Sequence, residues 1–246
     1  MKKIYQLINF LKIKELTPPI LWKMLKRFKF KQKYYGLNDL DKKMEKYLNY
    51  KDGYFVEAGA NNGINQSNTL FYEENKNWKG ILIEPVLHNY LECIKNRSPN
   101  NKFFNCACVS EQFDGPNVEM IYSDLMTIST NLESDITNKV EHANLSNTYR
   151  KPKKRIDTVK FIAKARTLTN IFEEAKAPAR MDFLSLDVEG AEIEVLKGIN
   201  FKKYNFNYIL VETRNLEKIT AFLKQHKYKI KDKLSHHDHL FVNYKI

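Results

Sequence analysis

Four acids in this 246-residue chain stand where short, mostly apolar runs stop: Glu57, Glu84, Asp187 and Glu212. A carboxylate in that place can accept hydrogen bonds from hydroxyls, hold an amine, take a proton or coordinate a hard cation. The first lies in Glu57-Ala58-Gly59-Ala60-Asn61-Asn62-Gly63, where glycines let the backbone approach a ligand closely. The spacing is not GxGxxG, because Asn61 takes the second glycine's place and Gly63 comes one residue early. A pyrophosphate needs that backbone approach and the helix N-terminus behind it. With Glu57 expected to face the ligand, a cationic amine suits the loop better. Glu84 follows Gly63 by 21 residues, where an acid can accept from both hydroxyls of a ribose. Acids at both strand ends favour S-adenosylmethionine (SAM) over a dinucleotide.

Asp187 and Glu212 end what read as adjacent strands, and ligands of open α/β sheets bind at such ends. Two carboxylates there could bind Mg²⁺, which would polarise a hydroxyl and lower its pKa. The competing reading makes Asp187 or Glu189 a general base, or a partner of the cofactor amine; Glu189 could equally be an acid stabilising a helix N-terminus. His236-His237-Asp238-His239 reads as a polar turn, with His236 as a further candidate base. Arg166 could meet an acidic substrate group, and the lone His88 and His142 carry little weight.

The elements that must position these groups alternate between strand and helix. Strands are expected at 54–58, 81–84, 102–109, 182–187 and 208–212, with helices at 39–48, after 67–69, and at 87–97, 170–175, 191–198 and 216–226. An antiparallel pair, 228–231 and 239–243, closes the chain. The fold class this implies is α/β: a class I methyltransferase Rossmann-like sheet, mostly parallel, with a C-terminal antiparallel hairpin. The segment at about 110–155 breaks the rhythm and reads as a mobile insertion over the site that selects the acceptor, with one added strand at 118–122 and little periodicity after Asn131.

Net charge is +12, yet residues 1–35 hold ten of the 41 Lys and Arg and only one of the 29 acids, so the body at 36–246 is nearly neutral. Ile20, Leu21, Met24, Leu25 and Phe28 follow helical spacing in this arm, with Lys23, Lys26 and Arg27 opposite. Such a basic amphipathic helix can lie on an anionic membrane or pack on its own domain. No run approaches the eighteen or so apolar residues of a membrane span, and Lys12 and Lys14 interrupt the one candidate signal segment. Three cysteines (Cys93, Cys106, Cys108) without CxxC spacing exclude a disulfide framework and suit a reducing cytoplasm.

The words EAGANNG, the SNT of Ser67-Asn68-Thr69, WKGILIEP and LDVEGAEIEVLKG resemble the FkbM family of SAM-dependent methyltransferases. The likeness runs from about Tyr54 to Asn243, is strongest at 54–85 and 181–198, and is absent from the arm. Family members often carry Asp where this chain has Glu57. The resemblance implies that Glu57, Gly59, Asn61 and Gly63 line the methionine moiety, with Ser67 and Asn68 near its carboxylate. Glu84 would hold the ribose, and Ala107 and Cys108 would border the adenine. It also implies O-methylation of a sugar hydroxyl in a surface glycan, polysaccharide or lipid-linked precursor, and some resembling sugar O-methyltransferases use a metal; the cysteines and the basic arm, not the resemblance, suggest the cytoplasm and the inner face of the membrane. The alternative is an RNA-modifying methyltransferase tethered by the basic arm, since clustered Lys and Arg suit phosphates. Against nucleic acid, LDVEGAE stands where an NPPY-like motif would follow the fourth strand. An oxidoreductase is disfavoured by the glycine spacing, and a non-catalytic module by strand-end acids that packing does not require.

Overall fold

A computed structural model describes residues 34–145 and 158–244. The arm at 1–33 and the basic run at 146–157 lie outside the described residues, and with them the amphipathic helix expected at 20–28. The seven-stranded sheet contains β1 (Tyr54–Ala58), β2 (Lys79–Ile83), β3 (Lys102–Phe104), β8 (Arg180–Leu186), β9 (Asn205–Glu212), β10 (Tyr228–Lys233) and β11 (Asp238–Asn243). Their order is β10-β11-β9-β8-β1-β2-β3. The four pairings from β3 to β9 all run parallel, while β11 pairs antiparallel with β9 and β10 with β11.

Central strands of a parallel sheet are covered on both faces and therefore read as continuous apolar runs. Val56, Ala58, Ile81, Ile83, Leu184 and Leu186 form one core with α5 (Leu168–Ala175), α6 (Glu192–Lys197) and α7 (Leu216–Gln225). The alternate residues face the other way. There Phe55 and Phe183 are fully buried, and Tyr72 of α2 (Leu70–Lys76) packs 6.5 Å from the Phe183 ring and 5.1 Å from Trp78. Burying a side chain such as Phe183 contributes about 1.5–3 kcal/mol. The remaining helices are α1 (Leu40–Met44), α3 (Leu87–Asn96) and α4 (Lys139–Leu145). Among the described residues no helix is long and apolar enough to cross a membrane.

Two expectations change. The strand expected over 102–109 is two strands: β3 stays in the main sheet, while β4 (Ala107–Cys108) pairs parallel with β7 (Val159–Arg166). β7 in turn pairs antiparallel with β5 (Asn117–Tyr122), and β5 with β6 (Ile128–Ser129). The result is a second, four-stranded sheet, β4-β7-β5-β6. Lys160, Ile162 and Lys164 of β7 face solvent, whereas Ala163 is buried. A strand with one wet face belongs to a one-sided sheet, not to the doubly covered centre. Nor is the segment after Asn131 unstructured, because α4 lies there, packed through Ala143 against Ile121, Ile128 and Ile136.

Candidate active site

The strand order reverses at β1, between β2 on one side and β8 on the other, which is where open α/β sheets bind ligands. A cleft of about 860 Å³, the open solvent at its mouth included, lies at that point. Its floor is Ala58, Gly59, Glu84 and Asp187 at the ends of β1, β2 and β8, and its far wall comes from the insertion through Met120, Asp124, Leu125, Thr127, Ser129 and Leu132. Gly59 has φ +90°, and a Cβ there would lie 1.9 Å from the Asp187 carbonyl oxygen. Only glycine lets β1 turn out of the sheet that close to β8.

Glu84 is where its spacing suggested. It is buried, yet lines the cleft. Its Oε2 accepts from the Asn61 N–H at 2.9 Å and its Oε1 from the Val86 N–H at 2.8 Å. A carboxylate has about four acceptor positions, so beside these amides and the Asn89 side chain it retains capacity for a ligand hydroxyl. Burial pushes Glu84 up to about 7, against the opposing pull of hydrogen bonds from Val86, Asn61 and Asn89. Asn61 lines the cleft with φ +47°, a left-handed conformation that asparagine tolerates. That twist is what directs its N–H to Glu84. Ala107 and Cys108 also line the cleft, beside Pro85 and Cys106. Burial pushes the Cys106 thiol up to about 12 and holds Cys108 well above its ordinary value, so they are wall and not nucleophile.

Glu57 does not face the cleft. Side chains alternate along a strand, and Glu57 shares the face of Phe55, opposite Val56 and Ala58. Its carboxylate accepts from Ser67 Oγ at 3.0 Å, the Asn68 N–H at 2.8 Å, Thr69 Oγ1 at 2.8 Å and Arg97 Nη1 at 3.2 Å. Ser67 and Asn68 are therefore committed to this buried knot, Asn68 Nδ2 reaching further to Ser185 Oγ at 3.1 Å. Gly63 belongs with them: at φ +79° its missing Cβ would meet Arg97 Cγ at 2.8 Å and Cys93 Sγ at 2.9 Å. These four residues shape the loop from behind, and Asn65 and Gln66 present the loop to the cleft instead. Arg97, unmarked in the sequence, is the organising cation.

Asp187 and Glu212 do come together, close enough for each to act on the other's charge. Burial first, and then the charges of Glu212, Glu189 and Glu192, hold Asp187 well above the usual carboxylate range. Burial and the nearby Glu189 and Asp238 raise Glu212 too. Among the described residues no three His, Cys, Asp or Glu side chains are grouped to hold a metal.

Glu189 lines the cleft beside Asp187 and has φ +54°, a strain of about 1–2 kcal/mol for a side chain of this kind. Its Oε2 lies 2.7 Å from His142 Nε2. His142 sits on α4, 47 residues away, and nothing in its local sequence distinguished it from a packing histidine. His236, the further candidate base, is exposed on the β10–β11 turn, its ring against His237, and is not among the cleft-lining residues. Arg166 is engaged by Glu174 at 2.7 Å.

The cleft is lined by four acids (Glu84, Asp124, Asp187, Glu189) and, among the described residues, by no Lys or Arg. A family model described as the methyltransferase FkbM domain matches residues 57–230, more than half of the chain. Among curated proteins none matches. Among solved structures, a chain of the fibrillarin/Nop5p complex crystal structure is similar at 14% identity, covering 78% of this chain and 71% of that one with a TM-score of 0.36.

Proposed function

The chain belongs to the FkbM methyltransferase family, and from that premise we propose that it is a SAM-dependent O-methyltransferase acting on a sugar hydroxyl of a surface glycan, polysaccharide or lipid-linked precursor. The observation that carries this reading is the acid-lined cleft without a basic side chain among the described residues. Such a lining suits a cofactor that is cationic and free of phosphate, and an acceptor that is not a polyanion. Asp187, Glu189 and Glu212 repel one another, and an incoming ammonium or sulfonium offsets that repulsion.

The residues present fit the cofactor. Glu84 would accept from the ribose hydroxyls while the Asn61 and Val86 amides hold its carboxylate still. Pro85, Ala107, Cys108 and Met120 offer apolar surface for the adenine, and Asp187 faces the amine. When bound, SAM supplies a methyl group activated by its sulfonium. The chain's own part is then alignment and proton removal. Alignment of two reactants is worth about 7–11 kcal/mol, and a general base typically adds about 10²–10⁴-fold. We assign proton removal to the carboxylates at the end of β8.

The reading places the protein in the cytoplasm, with the basic arm as its contact with an anionic membrane surface. The RNA alternative rests on that arm alone and gains nothing from the cleft. The deciding experiment is calorimetric titration with SAM, with NAD as comparison and Glu84→Ala as control. SAM binding that is lost in the variant is expected. No SAM binding, or binding indifferent to Glu84, overturns the cofactor site.

A further inference from the structure

Burial and the neighbouring acids hold both Asp187 and Glu212 above the usual carboxylate range. The third acid at this end of the sheet, Glu189, is arranged differently. Its backbone takes up a left-handed conformation, with Gly190 following at φ +94°, and the side chain is thereby turned to the boundary between the cleft and the insertion. There it meets His142, whose side chain is 7% exposed against 17% for Glu189. A carboxylate only accepts, so His142 Nε2 must carry the proton in this contact. The helix that brings the histidine is not loosely placed. Ala143 is fully buried against Ile121, Ile128 and Ile136, and its carbonyl accepts from Ser123 Oγ.

We propose that His142 is the positioning residue that holds Glu189 as the general base for the acceptor hydroxyl, so that the insertion completes the acceptor side of the site. This rests on the O-methyltransferase reading above. As the acceptor oxygen forms its bond to the methyl carbon, the S–CH₃ bond breaks and its electron pair stays on sulfur as a neutral thioether. The hydroxyl proton passes to Glu189. His142 fixes Oε2, which leaves Oε1 to take the proton, and its N–H stabilises the ionised carboxylate before transfer. An insertion that supplied only shape would have no use for a buried histidine aimed at a strained glutamate.

The test uses full-length protein and a panel of methyl glycosides of neutral and amino sugars, with S-adenosylhomocysteine release as readout. Glu189→Gln is expected to lower kcat by about 10²–10⁴-fold. His142→Ala is expected to lower kcat at least about tenfold within that range, with the KM for SAM unchanged. His142→Gln, which returns an N–H to a comparable position, is expected to recover most of the loss. It also serves if the alanine variant fails to fold. In ¹⁵N-histidine-labelled protein, the His142 Nε2 should resonate as a protonated donor and shift in Glu189→Gln. Wild-type kcat in His142→Ala, or His142→Gln as impaired as a folded His142→Ala, overturns the proposal while the methyltransferase reading stands. Wild-type protein that binds SAM but methylates no panel member overturns the sugar-acceptor reading and this proposal together.

Discussion

Arg97 Nη1 lies 3.2 Å from Glu57 Oε2 in a pocket where the two side chains are 0% and 5% exposed. The same guanidinium reaches Glu73 through Nε at 2.8 Å and Thr69 Oγ1 through Nη2 at 2.9 Å. It ties the loop after β1 to α2 and the end of α3, and thereby fixes the backbone that delivers Asn61 to Glu84.

Removing Arg97 strands two buried carboxylates. Arg97→Leu should cost about 3–5 kcal/mol, read as a fall in Tm of roughly 2–4 °C for each kcal/mol at this chain length. Glu57→Gln, in contrast, should lower Tm without a direct loss of SAM contact. A Glu57→Gln protein of unchanged Tm with abolished SAM binding would return Glu57 to the cofactor site.

Glu84 makes cofactor affinity depend on pH. Its carboxyl is held up to about 7 by burial, and a ribose hydroxyl donates more strongly to the ionised form. SAM affinity should therefore rise between pH 6 and pH 8, and Glu84→Gln should flatten the rise. Calorimetry at three pH values checks it; equal slopes in both proteins would assign the dependence elsewhere.

Glu192 should make stability fall with pH. Burial raises it to about 8, although its Oε1 accepts from the Val188 and Gly190 N–H groups at 3.1 and 3.0 Å. The folded pKa lies above the ordinary value of 4.5, so the folded state binds the proton more tightly. That contribution is complete below about 4.5 and is lost as pH rises through about 8. Glu192→Gln should match the wild type near pH 4.5 and exceed its Tm at pH 8 and above. A variant less stable at pH 8 would show that the charge is compensated in the fold.

Chelation should leave turnover untouched, because among the described residues no three His, Cys, Asp or Glu side chains are grouped to hold a metal. Activity abolished by EDTA and restored by Mg²⁺ would show that the pair rearranges around an ion.

Residues 1–35 should govern membrane association, with ten basic side chains against Glu15. Sedimentation with anionic vesicles is expected to disappear on deleting them and to weaken with salt. Unchanged sedimentation would place the contact on the body of the protein.

What the sequence determined by itself was whatever depends on neighbours along the chain. Apolar runs ending in acids marked β1, β2, β8 and β9, and the separation of Gly63 from Glu84 marked an acid that lines the cleft, because period and spacing are local properties that survive without coordinates. Which face of β1 meets the cleft was not legible: the loop suggested Glu57, and only the packed sheet puts Ala58 there instead of Glu57. Its partner was not legible, since Arg97 lies 40 residues on and meets Glu57 only after β2 and α3 have folded back. Lys102 to Val109 looked like one strand because each half is apolar enough; the break at Asn105, whose Nδ2 donates to the Glu84 and Pro85 carbonyls, is decided by which sheet each half can pair with. His142 and Glu189 are the clearest case. Neither has a local signal that names the other, and only the packing of α4 on a second sheet, itself assembled from strands far apart in sequence, brings the two within 2.7 Å.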